Sequence, residues 1–181
     1  MTELELVDGC KKKDRTIQQI LYEIYSPQML GICLRYIGDQ MTSQDILHDG
    51  FIKVFLSFDS FHYRGEGSLK AWMSRIFTNT CLEYLRKNNA LKETVALDEW
   101  KESTGPEEAE YDLISTDALM QFISELPAGY RTIFNMYVID DFSHKEIGEK
   151  LNINESSSRS QLSRAKNILA NKIKKYIKEN E

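Results

Sequence analysis

Two stretches of this chain carry side chains suited to nucleic acid. Between Glu155 and Ile177, the residues Leu162, Ala165, Leu169, Ile173 and Tyr176 recur at helical spacing. That stripe leaves Arg159, Ser160, Arg164 and Lys166 largely on other faces. Guanidinium, hydroxyl and ammonium groups on one solvated face can hydrogen-bond base edges and phosphate oxygens. Farther upstream, Phe58-Asp59-Ser60-Phe61-His62-Tyr63-Arg64-Gly65-Glu66-Gly67 reads as a flexible loop unusually rich in rings. Rings beside a cation suit unpaired strands, because any base can stack on them. His62, Tyr63 and Arg64 are the candidates there, whereas Phe58 and Phe61 are expected to pack beneath the loop.

Nothing points to covalent chemistry. The three histidines are scattered, and there is no Gly-rich phosphate loop or Cys/His cluster. Cys10, Cys33 and Cys81 are odd in number and lack metal spacing, which fits a reduced cytoplasmic compartment. No catalytic residue, metal or cofactor is therefore expected. No apolar run at the start is long enough for a signal peptide or membrane span.

The elements that must position these groups are helices. Ser143-x-x-Glu146 forms a capping box, so a helix should start at His144. Ile147 and Leu151 give it one apolar face. Gly148 lies inside it, at a propensity cost of about 1 kcal/mol, and a close helix-helix contact is the expected compensation. Asn152 can take the left-handed conformation that ends a helix, and Asn154 can cap the next. Two helices joined by Asn152-Ile153-Asn154 make a helix-turn-helix, although a plain helical hairpin carries the same pattern.

Residues 1–88 read as a helical bundle. Asp14 can cap a helix carrying Ile17, Ile20, Leu21, Ile24 and Tyr25. Pro27 suits the first turn of another, with Met29, Leu30, Cys33, Leu34 and Ile37, which Gly38-Asp39 ends. Thr42-x-x-Asp45 resembles a capping box and opens a third helix, with Ile46, Leu47, Phe51, Val54 and Phe55. Its Asp45 and Asp49 are either solvated acids near a helix N-terminus or an acidic docking face. Ser68 should cap a helix over 69–87 with Leu69, Trp72, Met73, Ile76, Phe77 and Tyr84 as core positions. Lys70, Arg75, Asn79, Arg86 and Lys87 line its other faces.

At 41% apolar content the chain can fold, and 181 residues leave room for one domain or two small ones. Charge separates the parts. Residues 1–88 are neutral, residues 89–118 carry a net −7, and residues 119–181 a net +2. The middle reads as a flexible, self-repelling linker that should stay off DNA. Overall acidity argues against a strong stand-alone DNA binder, since counterion release needs clustered Lys and Arg.

Two blocks resemble one family. Asp45-Ile46-Leu47-His48-Asp49-Gly50-Phe51-Ile52-Lys53-Val54-Phe55 is similar to region 2.2 of the bacterial sigma-70 family, Asp-Leu-Val-Gln-Glu-x-Phe-x-x-x-Trp. Trp72-Met73-Ser74-Arg75-Ile76-Phe77-Thr78-Asn79 and Tyr84-Leu85-Arg86 look like its regions 2.3 and 2.4. Leu126-Pro127 through Ala165-Lys166 resembles region 4. The small two-domain chain is similar to the extracytoplasmic-function, or group IV, class. His48 and Phe55 depart from the family's Gln and frequent Trp. Ser158 replaces a usually apolar residue and should weaken packing of the second helix. Gln161 replaces a usual Arg and removes one potential phosphate contact.

The resemblance implies an all-α protein of two small helical domains. A region 2-type bundle over 1–90 and a region 4-type helix-turn-helix over 118–181 are joined by an acidic flexible linker over 91–117. It implies docking to core RNA polymerase through Asp45, Ile46, His48, Asp49 and Ile52. It implies capture of the melted minus-ten strand by His62, Tyr63, Arg64, Arg75, Asn79 and Arg86. It places Ser156, Ser157, Arg159 and Ser160 in the major groove at minus thirty-five, with Arg164 and Lys166 gripping phosphate. Promoter DNA and core polymerase are then the partners, and the class is often held by an anti-sigma factor. The competing reading is a stand-alone helix-turn-helix regulator. It requires an N-terminal ligand or phosphorylation domain, for which 1–88 has no α/β pattern.

Overall fold

The computed structural model describes residues 1–92 and 114–180. Most of the linker expected over 91–117 lies outside the described residues. Every element described is helical, with no strand among them. The chain divides into two compact units, Met1–Tyr84 and Leu85–Glu181. Their boundary falls inside the helix over Ser68–Lys87.

In the first unit, α1 (Glu3–Lys11) opens on a capping box formed by Thr2 and Glu5. Glu5 N–H donates to Thr2 Oγ1 at 3.2 Å, and Thr2 N–H to Glu5 Oε2 at 2.6 Å. The Asp14 carboxylate caps α2 (Arg15–Ile37) by accepting from Thr16 and Ile17 N–H. The break expected at Pro27 is absent, since α2 runs through it. Proline in a helix interior costs about 3 kcal/mol. Here Pro27 is exposed, while Leu21, Met29, Cys33 and Tyr36 bury one continuous face. Gly38, at φ +80°, closes the helix.

Helix α3 (Gln40–Ser57) starts earlier than the expected cap at Thr42. Asp39 follows Gly38 directly in extended conformation, and its carboxylate accepts the Thr42 N–H at 2.8 Å. Ile46, Leu47, Phe51 and Val54 of α3 pack inward, as do Leu69, Met73, Phe77 and Cys81 of α4 (Ser68–Lys87). Gly50 lets the two helices meet, because a Cβ there would enter the Phe77 ring. Tyr84, expected in the core, is 36% exposed.

The second unit holds α5 (Thr116–Ser124), α6 (Ala128–Phe134), a π-helical segment (Asn135–Ile139), α7 (His144–Leu151) and α8 (Glu155–Asn180). Ile123, Leu126, Tyr130, Ala165 and Leu169 form its core. Arg131 is buried, and its guanidinium donates to the Ser124 and Leu126 carbonyls at 2.7 and 2.9 Å. The last carbonyl of α5 and one from the turn that follows thus satisfy a charge that burial would otherwise penalise. Among the described residues no helix is long and apolar enough to cross a membrane.

Candidate nucleic-acid interface

The loop after α3 begins with a 3-10 turn (Phe58–Ser60). Phe58 and Phe61 are buried, as expected, against Trp72 of α4 with ring centroids 5.2 and 4.7 Å away. They form a floor that holds the following residues outward. Above it lies a recess of about 320 Å³ lined by Ser60, Phe61, His62, Arg64, Ser68, Ala71, Trp72 and Arg75. His62 and Arg64 come from the loop and Arg75 from α4, so the fold brings three candidates to one place.

His62 Nδ1 lies 3.0 Å from the Ser60 carbonyl oxygen. A carbonyl only accepts, so Nδ1 carries the hydrogen and Nε2 is the ring's other polar atom. Two guanidinium groups, an imidazole and an indole edge give the recess polar and π surface together. That combination suits an unpaired base and its phosphate. Tyr63 is half-buried and Asn79 is exposed on α4, and neither lines the recess. Arg86 is exposed in the last turn of α4, beyond the unit boundary. Ser60, Ser68 and Trp72 were not among the expected site residues. The available signal was the spacing of Trp72 to Arg75, which puts both on one side of α4.

Asp45, His48, Asp49 and Ile52 share the exposed side of α3, with Ile52 57% exposed. Ile46 does not belong with them. It is 3% exposed, since the position after Asp45 turns about 100° into the core. Leu56, one turn beyond Ile52 and 78% exposed, extends the same side instead.

The helix-turn-helix forms as read. The Ser143–Glu146 capping box closes in both directions, with Ser143 N–H donating to Glu146 Oε2 at 2.8 Å. Those hydrogen bonds hold the Glu146 carboxyl below its ordinary value. Asn152 ends α7 in the left-handed region, at φ 55° and ψ 48°. Asn154 Oδ1 accepts the Ser157 N–H at 2.7 Å and so caps α8. Gly148 packs against the turn rather than a helix, as a Cβ there would lie 2.6 Å from the Ile153 carbonyl oxygen.

Ser156, Arg159, Ser160 and Lys166 are exposed on α8, and Ser157 and Arg164 are partly so. Arg159 pairs with Glu155 at 2.9 Å, and Ser160 Oγ donates to the Ser157 carbonyl. Ser158 is fully buried, and its Oγ lies 2.9 Å from His144 Nδ1. The packing loss expected at Ser158 is therefore met by a polar contact between the two helices. The Tyr137 ring stacks on His144, with centroids 4.4 Å apart. Burial, then the positive charges of Arg159 and Lys166, lowers the His144 pKa from its ordinary 6.5.

A bundle with a cation-lined recess and a capped helix-turn-helix define a two-module DNA reader. The chain belongs to the sigma-70 family: the family model for region 2 matches residues 21–90 and that for region 4 matches 116–169. Its similarities fall in the extracytoplasmic-function (ECF) class. It is 27% identical to the ECF RNA polymerase sigma factor SigW of Bacillus subtilis, over 91% of this chain and 92% of that one. It is 24% identical to the ECF RNA polymerase sigma-E factor of Haemophilus influenzae, over 96% of each. The solved sigma factor RpoE of Bartonella quintana, in complex with the anti-sigma factor NepR, shares the fold. Its TM-score is 0.51 at 20% identity, over 87% of this chain and 96% of that one.

Proposed function

We propose that this chain is a promoter-specificity subunit of bacterial RNA polymerase that works in the cytoplasm and catalyses no covalent step itself. The observation that carries the reading is the presence, in one chain of this family, of both the loop recess and the helix-turn-helix. Asp45, His48, Asp49 and Ile52, with Leu56, dock core polymerase through a mixed acidic and apolar face. His62, Arg64 and Arg75 hold an unpaired base of the minus-ten strand, and Tyr63, Asn79 and Arg86 follow the strand beyond it. A captured base exposes its pairing edge to this polar lining. Ser156, Ser157, Arg159 and Ser160 enter the major groove at minus thirty-five, while Arg164 and Lys166 contact phosphate. Two weak contacts on one duplex reinforce each other through the polymerase that holds both modules. An anti-sigma factor is a further partner, as for the Bartonella quintana protein.

The test is gel filtration of the chain with core polymerase, followed by run-off transcription from a promoter library. Co-elution with selective initiation is expected. A folded chain that fails to co-elute, yet binds an operator alone, would replace this reading with that of a stand-alone regulator.

A further inference from the structure

We infer that Glu3 is a positioning residue for capture of the unpaired minus-ten strand, an inference that rests on the proposed reading of the recess. Glu3 stands 64 residues before the loop that it holds. Its Oε2 accepts the Gly67 N–H, and its Oε1 accepts the Leu69 N–H, both at 2.7 Å. Ser68 Oγ lies 3.5 Å from the same Oε1. A helix start leaves N–H groups that a preceding side chain normally satisfies. Gly67 has no side chain to offer, so the carboxylate of α1 takes that role for α4. Its charge also suits the positive end of the helix dipole.

The effect reaches the recess through two residues. Ser68 Oγ accepts the Arg64 N–H at 3.2 Å, and Ser68 and Arg64 both line the recess. Between them, Gly65 and Gly67 have φ of +109° and +85°, values that glycine adopts freely and leaves freely. Phe58 and Phe61 anchor the near end of the loop, and Glu3 fixes its far end, beside the Ser68 N–H to Gly65 carbonyl hydrogen bond at 3.1 Å. Glu3 is itself held, because Leu6, Val7 and Cys10 bury α1 and the Thr2–Glu5 box closes its first turn. The chain of contacts runs from α1 to the start of α4, then through Ser68 to the backbone of the Arg64 that meets the base.

The experiment uses holoenzyme made from the full chain and core polymerase. Base preference is read at each minus-ten and minus-thirty-five position from a randomised promoter library, for wild type, Glu3→Gln and Glu3→Asp. In Glu3→Gln, preference at the captured minus-ten position should fall by about threefold to thirtyfold, the range of a lost helix cap. Preference at minus thirty-five should stay as in wild type, and Glu3→Asp should recover part of the loss. A ratio between promoters does not depend on how much chain is folded, so a merely structural Glu3 would leave it unchanged. Unaltered minus-ten preference in Glu3→Gln, beside a selective wild type, overturns the inference alone. A wild type that discriminates at no minus-ten position overturns the recess reading and this inference with it.

Discussion

The Oγ of buried Ser158 and the Nδ1 of half-buried His144 face each other at 2.9 Å and join the two helices of the helix-turn-helix through a polar contact. The two groups depend on each other, since either alone would be a polar atom with reduced access to water. Ser158→Ala should cost the C-terminal unit about 1–3 kcal/mol, by leaving the imidazole nitrogen unsatisfied. Ser158→Val, which restores the family's usual apolar character, should also destabilise. Urea unfolding of both variants checks this, and a Val variant more stable than wild type would refute it.

The same histidine sets a pH dependence. Burial and the neighbouring cations favour neutral His144 in the fold, so its folded pKa lies below the ordinary 6.5. Below that value the unfolded chain binds the proton more readily than the folded one. The contribution is thus fully present above about pH 6.5 and is lost as pH falls toward the lowered folded value. Denaturation midpoints should fall in wild type as the pH is lowered from about 8 to about 5. The His144→Gln variant should lack this part of the slope.

Gly148→Ala should destabilise despite the better helix propensity of alanine. Propensity favours the change by about 1 kcal/mol. The new Cβ would stand 2.6 Å from a backbone carbonyl that cannot move without opening the turn. A net loss of about 1–3 kcal/mol is expected, with weaker minus-thirty-five recognition, both measurable by unfolding and promoter assays. A neutral or stabilised variant would show that the turn yields.

Reversing charge on the exposed face of α3 should separate folding from assembly. Asp45 and Asp49 are exposed there. Asp45→Arg with Asp49→Arg should abolish co-elution with core polymerase while the helical circular dichroism and unfolding midpoint stay close to wild type. Retained co-elution would remove this face from the docking surface.

Arg159 is exposed and pairs with its helix neighbour Glu155, so its loss should change stability by less than about 1 kcal/mol. Arg159→Ala should instead lower minus-thirty-five discrimination by about 1–3 kcal/mol, if the guanidinium reads guanine with two hydrogen bonds. The same ratio of matched to mismatched transcription in wild type and variant would remove it from that role.

The parts of the fold legible in the sequence are those fixed by neighbours a few residues apart. Asn152, Asn154 and the Ser143–Glu146 box act within one turn, and each formed where it was read. Pro27 misled because a long buried face outweighed its local cost. Thr42 misled because Asp39, just after the αL glycine, reached the cap first. Ile46 looked like part of a docking motif until its helical phase turned it inward. Glu3 carried no readable signal, because its partners at Gly67 and Leu69 come from a distant part of the chain. The recess had the same difficulty, being assembled from a loop and a helix face that only tertiary packing aligns.

The turn between α7 and α8 has a thermodynamic consequence. Ile153 N–H donates to the Gly148 carbonyl at 3.0 Å, Asn154 holds the start of α8, and the Gly148 backbone admits no Cβ against the turn. The segment is ordered before any DNA arrives, so little conformational entropy is left to lose on docking. The heat-capacity change of minus-thirty-five binding should then follow the surface covered, without the large negative contribution of a segment that folds as it binds.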